Sequence, residues 1–305
     1  MTTGPRHARP VAVAFALIAA FLWALYYFFV LGTPGAQPSG LLADPFLVGG
    51  AGLLLGVAAA GGARKLKASA TDLRSVPRAV FLAGMQVAVL ASTYLAGAVD
   101  TALLALLADV VATPVLLRVA YGEGKGRFRR AGFVAGLGAC VVGAGLVIGG
   151  GTSIRPLSGW AWIAAGATIG FVAAYFVYTA RTTDAASMPA TVSVATLGAG
   201  LLAIGASPFL PGGPAGLVPP DALALGLIAA LGLTSFGLAP YLYFRAIERA
   251  GIVLPAVLMT GIPLFTLLVG ALLFQSVPPP VSLLGVPVAV VGAVLALRAP
   301  DGDPP

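Results

Sequence analysis

Charge is what this sequence has least of. Of its 305 residues only 9% are Asp, Glu, Lys or Arg, while 59% are apolar and the mean hydropathy is +1.01. A water-soluble domain devotes about a quarter of its residues to charge. This chain therefore lacks the means to cover a soluble surface, and a cytosolic enzyme or a nucleic-acid-binding domain is excluded. Cysteine is nearly absent too. The one cysteine, Cys140, sits inside the apolar run GLGACVVGAG, so no disulfide framework or cysteine-rich metal site is available. The one histidine, His7, precedes the first apolar segment with no Asp, Glu or Cys near it in sequence. A histidine-based zinc site or a Ser-His-Asp triad has nothing to be built from, and neither a metal nor another cofactor is expected. No Walker A string is present, so an ATP-driven pump is not expected of this chain alone.

What the sequence has in quantity is long uncharged runs. A membrane-crossing helix needs about 20 apolar residues, and ten segments qualify: 11–31, 41–62, 79–98, 101–120, 131–150, 159–180, 189–210, 221–244, 251–274 and 281–298. The first exceeds the apolar core of a signal peptide, about 7–15 residues, and reads as an uncleaved span. Glycine (41) and proline (24) are abundant. Membrane helices tolerate both, because small residues let helices approach and neighbours re-satisfy freed backbone groups.

The basic residues orient the spans. With ten crossings, both termini share one side with the 2–3, 4–5, 6–7 and 8–9 loops. Sixteen of the 17 Lys and Arg residues fall on that side, with only Arg155 opposite. The positive-inside bias then puts both termini in the cytoplasm. In a membrane protein it also accounts for the net charge of +7 without a nucleic-acid partner.

The chain also repeats itself at an offset of 149 residues: Pro114 with Pro263, Tyr26 with Tyr175, Tyr94 with Tyr243, Gly136 with Gly285, and Val141-Val142-Gly143-Ala144 with Val290-Val291-Gly292-Ala293. Glycine and alanine matches are common in such a composition, but the chain has only eight tyrosines. One gap-free register over several spans indicates a duplicated five-helix unit. Five is odd, so the second copy must cross in the opposite sense. The basic 4–5 connection around Lys125, Arg127, Arg129 and Arg130 is answered after span 9 by an uncharged one. The expected fold is therefore an all-α membrane protein with ten transmembrane helices in two inverted five-helix repeats. Its expected organisation is a cytoplasmic tail (1–10), a first repeat (11–150), an external linker (151–158), a second repeat (159–298) and a cytoplasmic tail (299–305). Inverted repeats place a substrate path at their interface and support alternating access.

With these features the chain resembles the drug/metabolite transporter superfamily, specifically its EamA-type exporters with ten helices in two inverted repeats, over roughly residues 11–298. The resemblance rests on Phe21-Leu22-Trp23-Ala24, on Tyr94 and Tyr243, on the proline-bearing Thr113-Pro114 and Ile262-Pro263, and on glycine-bearing last helices with Gly136 and Gly143 answered by Gly285 and Gly292. Such repeats often carry a glutamate shortly after the proline-bearing helix. Here the second copy has Gln275 and the first has a displaced Glu123. The resemblance implies export or exchange of small metabolites such as amino acids, or of drugs, in a cell (inner) membrane.

Asp109 is the sharpest single residue, mid-span in Leu106-Leu107-Ala108-Asp109-Val110-Val111. A charge at that depth costs about 2.5–3.5 kcal/mol on insertion scales, and such residues tend to face a cavity and mark a pathway. It would contact a substrate amine or carry a proton through the cycle; otherwise it is a buried acid bonded to a neighbouring hydroxyl. Arg118, nine residues on, lies on the opposite helix face about 13.5 Å along the axis. It either snorkels to the interface or contacts an anionic substrate group.

Trp23, Tyr26 and Tyr27 share a face of span 1, as Tyr175 and Tyr178 do of span 6. Tyr26, Tyr27 and Tyr94 are candidates for an outer gate, and Tyr175, Tyr178 and Tyr243 for an inner one; an interfacial aromatic belt is the alternative. Gln86 and Ser235 occupy equivalent mid-depth positions, with Thr234 adjoining, and must bond either a substrate or each other. The expected substrate set is thus Asp109, Gln86, Ser235, Thr234, Trp23, Tyr26 and Tyr175, with Tyr27, Tyr94, Tyr178 and Tyr243 as gates. Thr113 and Thr260 are expected to repair hydrogen bonds broken by the prolines. Arg245, Glu248 and Arg249 are expected in a tight 8–9 loop as a solvated cluster.

The expected function is transport by alternating access, with protons as a second ligand if Asp109 couples. The alternatives are a flippase for a lipid-linked group and, in another class, an intramembrane enzyme, for which no acidic dyad is present. Gly132, Gly136 and Gly143 would serve either internal packing or dimerisation.

Overall fold

A computed structural model describes residues 8–122, 125–149, 159–250, 255, 258–259, 261–275 and 280–298. The described residues are helical with short connections and contain no strand. In chain order the helices are α1 (Ala8–Gly32), α2 (Pro38–Ala59), α3 (Ala63–Thr71), α4 (Ser75–Ala96), α5 (Ala98–Leu107), α6 (Thr113–Tyr121), α7 (Lys125–Phe128), α8 (Ala131–Gly149), α9 (Gly159–Thr182), α10 (Met188–Ala206), α11 (Ala222–Leu231), α12 (Ala239–Ala250), α13 (Gly261–Phe274) and α14 (Pro280–Arg298). Seven helices are long and apolar enough to cross a membrane: α1, α2, α4, the α5–α6 helix, α9, α10 and the α11–α12 helix. Three shorter apolar helices lie within α8, α13 and α14.

Two of the long helices are not plain α-helix. A π-helical turn, Ala108–Ala112, joins α5 to α6, and a longer one, Gly232–Leu238, joins α11 to α12. Each is followed two residues later by a proline, Pro114 or Pro240. Proline has no N–H to return to the carbonyl four residues back. Widening the preceding turn re-registers the ladder; the N–H of Thr113, for example, reaches the carbonyl of Ala108. Thr113 was expected to repair this site with its hydroxyl, and it does not. Its Oγ1 is buried without a partner among the described residues, because the π turn has already absorbed the proline. Thr260, Glu123, Arg155 and His7 lie outside the described residues.

The helices pack in antiparallel pairs. α8 packs on α14, α2 on α10, α4 on α9, and α1 on α12. The α8–α14 pair shows why these sequences pair. A side chain at Gly136 would run into the backbone of Gly292 and Ala296, and one at Gly143 into that of Gly285 and Ala289. Only glycine allows this approach, so Gly136 and Gly143 serve packing within the chain, whereas Gly132 faces open space. Leu103, Phe133, Cys140 and Val286 form a small core that ties this pair to α5. The main core gathers α1, α2, α4, α9, α10 and the α11–α12 helix, with Ala16, Phe46, Leu90 and Ile228 fully or nearly fully buried.

Two connections differ from expectation. The 2–3 connection contains a helix, α3, whose Ser69 meets Thr191 of α10 at 3.3 Å. The region of Arg245, Glu248 and Arg249 is the end of helix α12 and not a loop. There Arg245 pairs with Glu248 at 2.7 Å, one turn apart, and the Arg249 guanidinium lies over the Phe15 ring at 5.0 Å. These contacts, with Ala246 fully buried, carry the helix through to Ala250.

Candidate functional site

Between α1, α4, the α5–α6 helix, α9, α10 and the α11–α12 helix lies a cavity of about 100 Å³. Both π turns open onto it: the first supplies Asp109, the second Ser235 and Phe236. π turns are rare and concentrate at functional sites, because the widened turn redirects side chains. Residues from both halves of the chain line the cavity. Trp23, Tyr26, Tyr27 and Gln86 come with Asp109 from the first half, and Tyr175, Phe176, Thr196, Ser235 and Phe244 from the second.

The polar groups are tied across the halves. The indole Nε1 of Trp23 donates to the carbonyl of Ser235 at 3.0 Å, and the Ser235 hydroxyl donates back to the carbonyl of Leu22 at 3.0 Å. This reciprocal pair fastens α1 to the second π turn, where the ladder leaves backbone groups to be satisfied. The Gln86 amide donates to the Tyr26 hydroxyl, joining α4 to α1 within a buried site. Around them the rings interlock edge to face. Trp23 meets Tyr243 at 5.4 Å and Phe176 at 6.4 Å, and Tyr26 meets Tyr27 at 5.3 Å and Phe236 at 5.8 Å. Asp109 has no hydrogen bond or ion pair among the described residues. Tyr27 and Tyr243 are the titratable neighbours within reach of its charge.

Of the seven residues expected to bind substrate, six line this cavity; Thr234 does not, and its hydroxyl is bonded to the carbonyl of Ala230 in its own helix at 2.6 Å. Among the expected gates, Tyr27 lines the cavity and Tyr243 packs behind Trp23 and Phe176. Tyr178 is further along α9, edge-on to Phe81 at 5.6 Å. Tyr94 is 48% exposed and makes no ring contact among the described residues. Arg118, in the last turn of α6, does not reach the cavity. Thr196, Phe236 and Pro240 were not anticipated.

A larger cleft of about 760 Å³ lies between α2, α10 and the α11–α12 helix, open to the outside and lined mainly by small and apolar residues such as Gly52, Gly56, Ala190 and Leu233. Its charged groups at one end include the already paired Arg245 and Glu248. The smaller cavity holds the intramembrane acid and is lined by both halves, so it is the better candidate for chemistry.

Arg78 is the residue the sequence concealed most. It reads as one of five basic residues around a loop, yet it is 1% exposed. Its guanidinium donates to the Thr182 carbonyl at 2.6 Å, to the Thr182 hydroxyl at 2.9 Å and to Asp72 at 3.2 Å. The start of α4 is thus latched to the end of α9. Outside the spans, Asp72 is held below the usual carboxylate range, chiefly by the backbone N–H of Arg74 at 3.0 Å and further by Arg78.

A polytopic helical membrane protein with an acid-bearing cavity between its halves is the class these features define. Residues 157–298 match the EamA-like transporter family. A protein of known crystal structure shares the fold at 21% identity, with a TM-score of 0.71 over 94% of this chain and 96% of its own. No curated protein is significantly similar. The matched residues are similar to a transporter family, and seven of the described helices are long and apolar enough to cross a membrane.

Proposed function

We propose that this protein moves a small metabolite or drug across the cell membrane by alternating access, binding it in the cavity between two inverted five-helix repeats. The observation that carries this reading is the position of Asp109, an intramembrane carboxylate without a hydrogen bond or ion pair among the described residues, in a cavity walled by both halves. Ionisable groups at such depth belong to substrate or ion pathways.

The helix pairing supports the repeats. Exchanging each span for its mate 149 residues away maps the α4–α9 pair onto α12–α1 and returns α2–α10 and α8–α14 to themselves. Gly136 opposite Gly292 becomes Gly285 opposite Gly143, which is also present. An antiparallel pair that maps onto itself needs a two-fold axis lying across the helices, as inverted repeats require. On this reading α8, α13 and α14 also cross the bilayer, both termini are cytoplasmic, and α1 and α9 with their rings rock against the other helices. Gln86, Ser235, Trp23, Tyr26 and Tyr175 shape the site, and Tyr27 and Tyr243 close it. Proton coupling through Asp109 is the mechanism proposed for driving the cycle.

Uptake into proteoliposomes of a panel of labelled amines, amino acids and nucleobases, with and without an imposed pH gradient, tests this. Wild type should accumulate at least one compound. Asp109→Asn should lose the response to the gradient while remaining folded. Equal transport by both proteins would remove Asp109 from the mechanism.

A further inference from the structure

The chemistry of the cavity wall bears on what it can hold. Seven aromatic rings line it, yet Asp109 is its one charged residue, with no Lys, Arg or His among the described lining residues. The undescribed residues next to Ile262 in sequence, 251–254, 256–257 and 260, include no charged type either.

Four of the neutral donors are also engaged within the protein. The Trp23 N–H is given to the Ser235 carbonyl, the Ser235 hydroxyl to Leu22, the Gln86 amide to Tyr26, and the Thr196 hydroxyl to the Val192 carbonyl at 2.7 Å. A carboxylate or phosphate entering this space would lose its hydration, meet no positive partner and lie near a like charge. A zwitterion would satisfy Asp109 with its amine and bring that same penalty with its other end. A monovalent cation balances the site: its charge pairs with Asp109, and the aromatic side chains of Trp23, Tyr26, Tyr27 and Tyr175 line the same cavity, where a ring attracts a cation through its quadrupole.

We infer that the cavity is selective for small organic cations, amines or quaternary ammonium compounds, over zwitterionic amino acids and anions. This rests on the transport reading above and narrows its substrate class. Within the expectation of amino acids or drugs, it favours the second. The volume of about 100 Å³ further restricts the ligand to a compact one.

Choline and glycine betaine make the test, since they share a trimethylammonium group and differ in that one carries a hydroxyl and the other a carboxylate. Both bear a fixed charge and cross bilayers poorly. Binding to the purified full chain is read from Trp23 fluorescence in a Trp160→Phe/Trp162→Phe background, which removes the other two tryptophans. Exchange is read as counterflow in proteoliposomes. Choline should bind at least tenfold more tightly than betaine and exchange at least tenfold faster. Asp109→Asn should abolish the preference, and Asp109→Glu, which retains the charge, should keep it.

Comparable binding of betaine, or no binding of choline at millimolar concentration, overturns the inference with wild-type protein alone, whatever the variants do. Betaine exchange at the choline rate overturns cation selectivity and leaves transport standing. Choline binding without exchange of either compound does the reverse: the cation site stands and the transport reading fails.

Discussion

Asp109 and Arg78 are both charged side chains taken out of water, and they differ in what surrounds them. Arg78 is fully satisfied by Thr182, Asp72 and Ser75, so it behaves as structure. Asp109 has no such set, which is why it reads as a ligand group. The same reasoning applies to Gln86. Its amide is buried and bonded to Tyr26, and deleting that hydroxyl strands a polar group at a typical cost of about 1–3 kcal/mol. Tyr26→Phe should therefore lower the melting temperature in detergent, whereas Gln86→Leu/Tyr26→Phe together should recover part of the loss. If the double variant is less stable than the sum of the singles, the pair does not act as a buried hydrogen bond. Asp109 was legible in the sequence because an acid in an apolar run is conspicuous. The Gln86–Tyr26 bond was not, since its partners are 60 residues apart and only packing brings α1 to α4.

At the scale of elements, contacts between helices depend on a few small or polar positions. Gly143→Leu drives a side chain into the backbone of Ala289 and Gly285. It should destabilise by about 1–3 kcal/mol, the usual range for overpacking. Gly138→Leu on the same helix meets open space and should stay within about 0.5 kcal/mol. Urea or thermal unfolding in detergent compares the two; equal effects would mean that α8 and α14 do not pack through this face. The α4–α9 latch gives a pH prediction. Because Asp72 titrates below its unfolded value, its contribution is complete above the unfolded carboxylate range, about pH 4. It is lost as the pH falls through the folded value. Asp72→Asn should lower the melting temperature at neutral pH and narrow its gap from wild type on acidification. A gap independent of pH would separate Asp72 from the latch. The long helices were legible from hydropathy, but the π turns were not. A proline predicts that a ladder is interrupted, and only the surroundings decide whether it kinks, caps or widens.

For the whole molecule, topology is the testable quantity. Cys140 is buried, so in a Cys140→Ala background single cysteines report their own positions. A cysteine at Arg129 should react with an impermeant maleimide only from the cytoplasmic side, and one at Pro219 only from the external side. Labelling of both from one side would break the odd-helix inversion.

Composition and spacing by themselves determined that this chain belongs in a membrane, where its apolar segments lie, how its basic residues are distributed and which positions recur 149 residues apart. These are one-dimensional properties, set by the energy of moving each segment from water to hydrocarbon, and they need no knowledge of neighbours. Only the tertiary structure decided which side chains share a cavity, that Arg78 is a buried latch, that Thr234 turns to its own helix, and that Asp109 faces aromatic rings and no cation. Those outcomes depend on how helices from the two halves rotate about their axes and cross. Close packing at glycines and the re-pairing of backbone groups at the two π turns fix that rotation, and both arise only when distant segments meet.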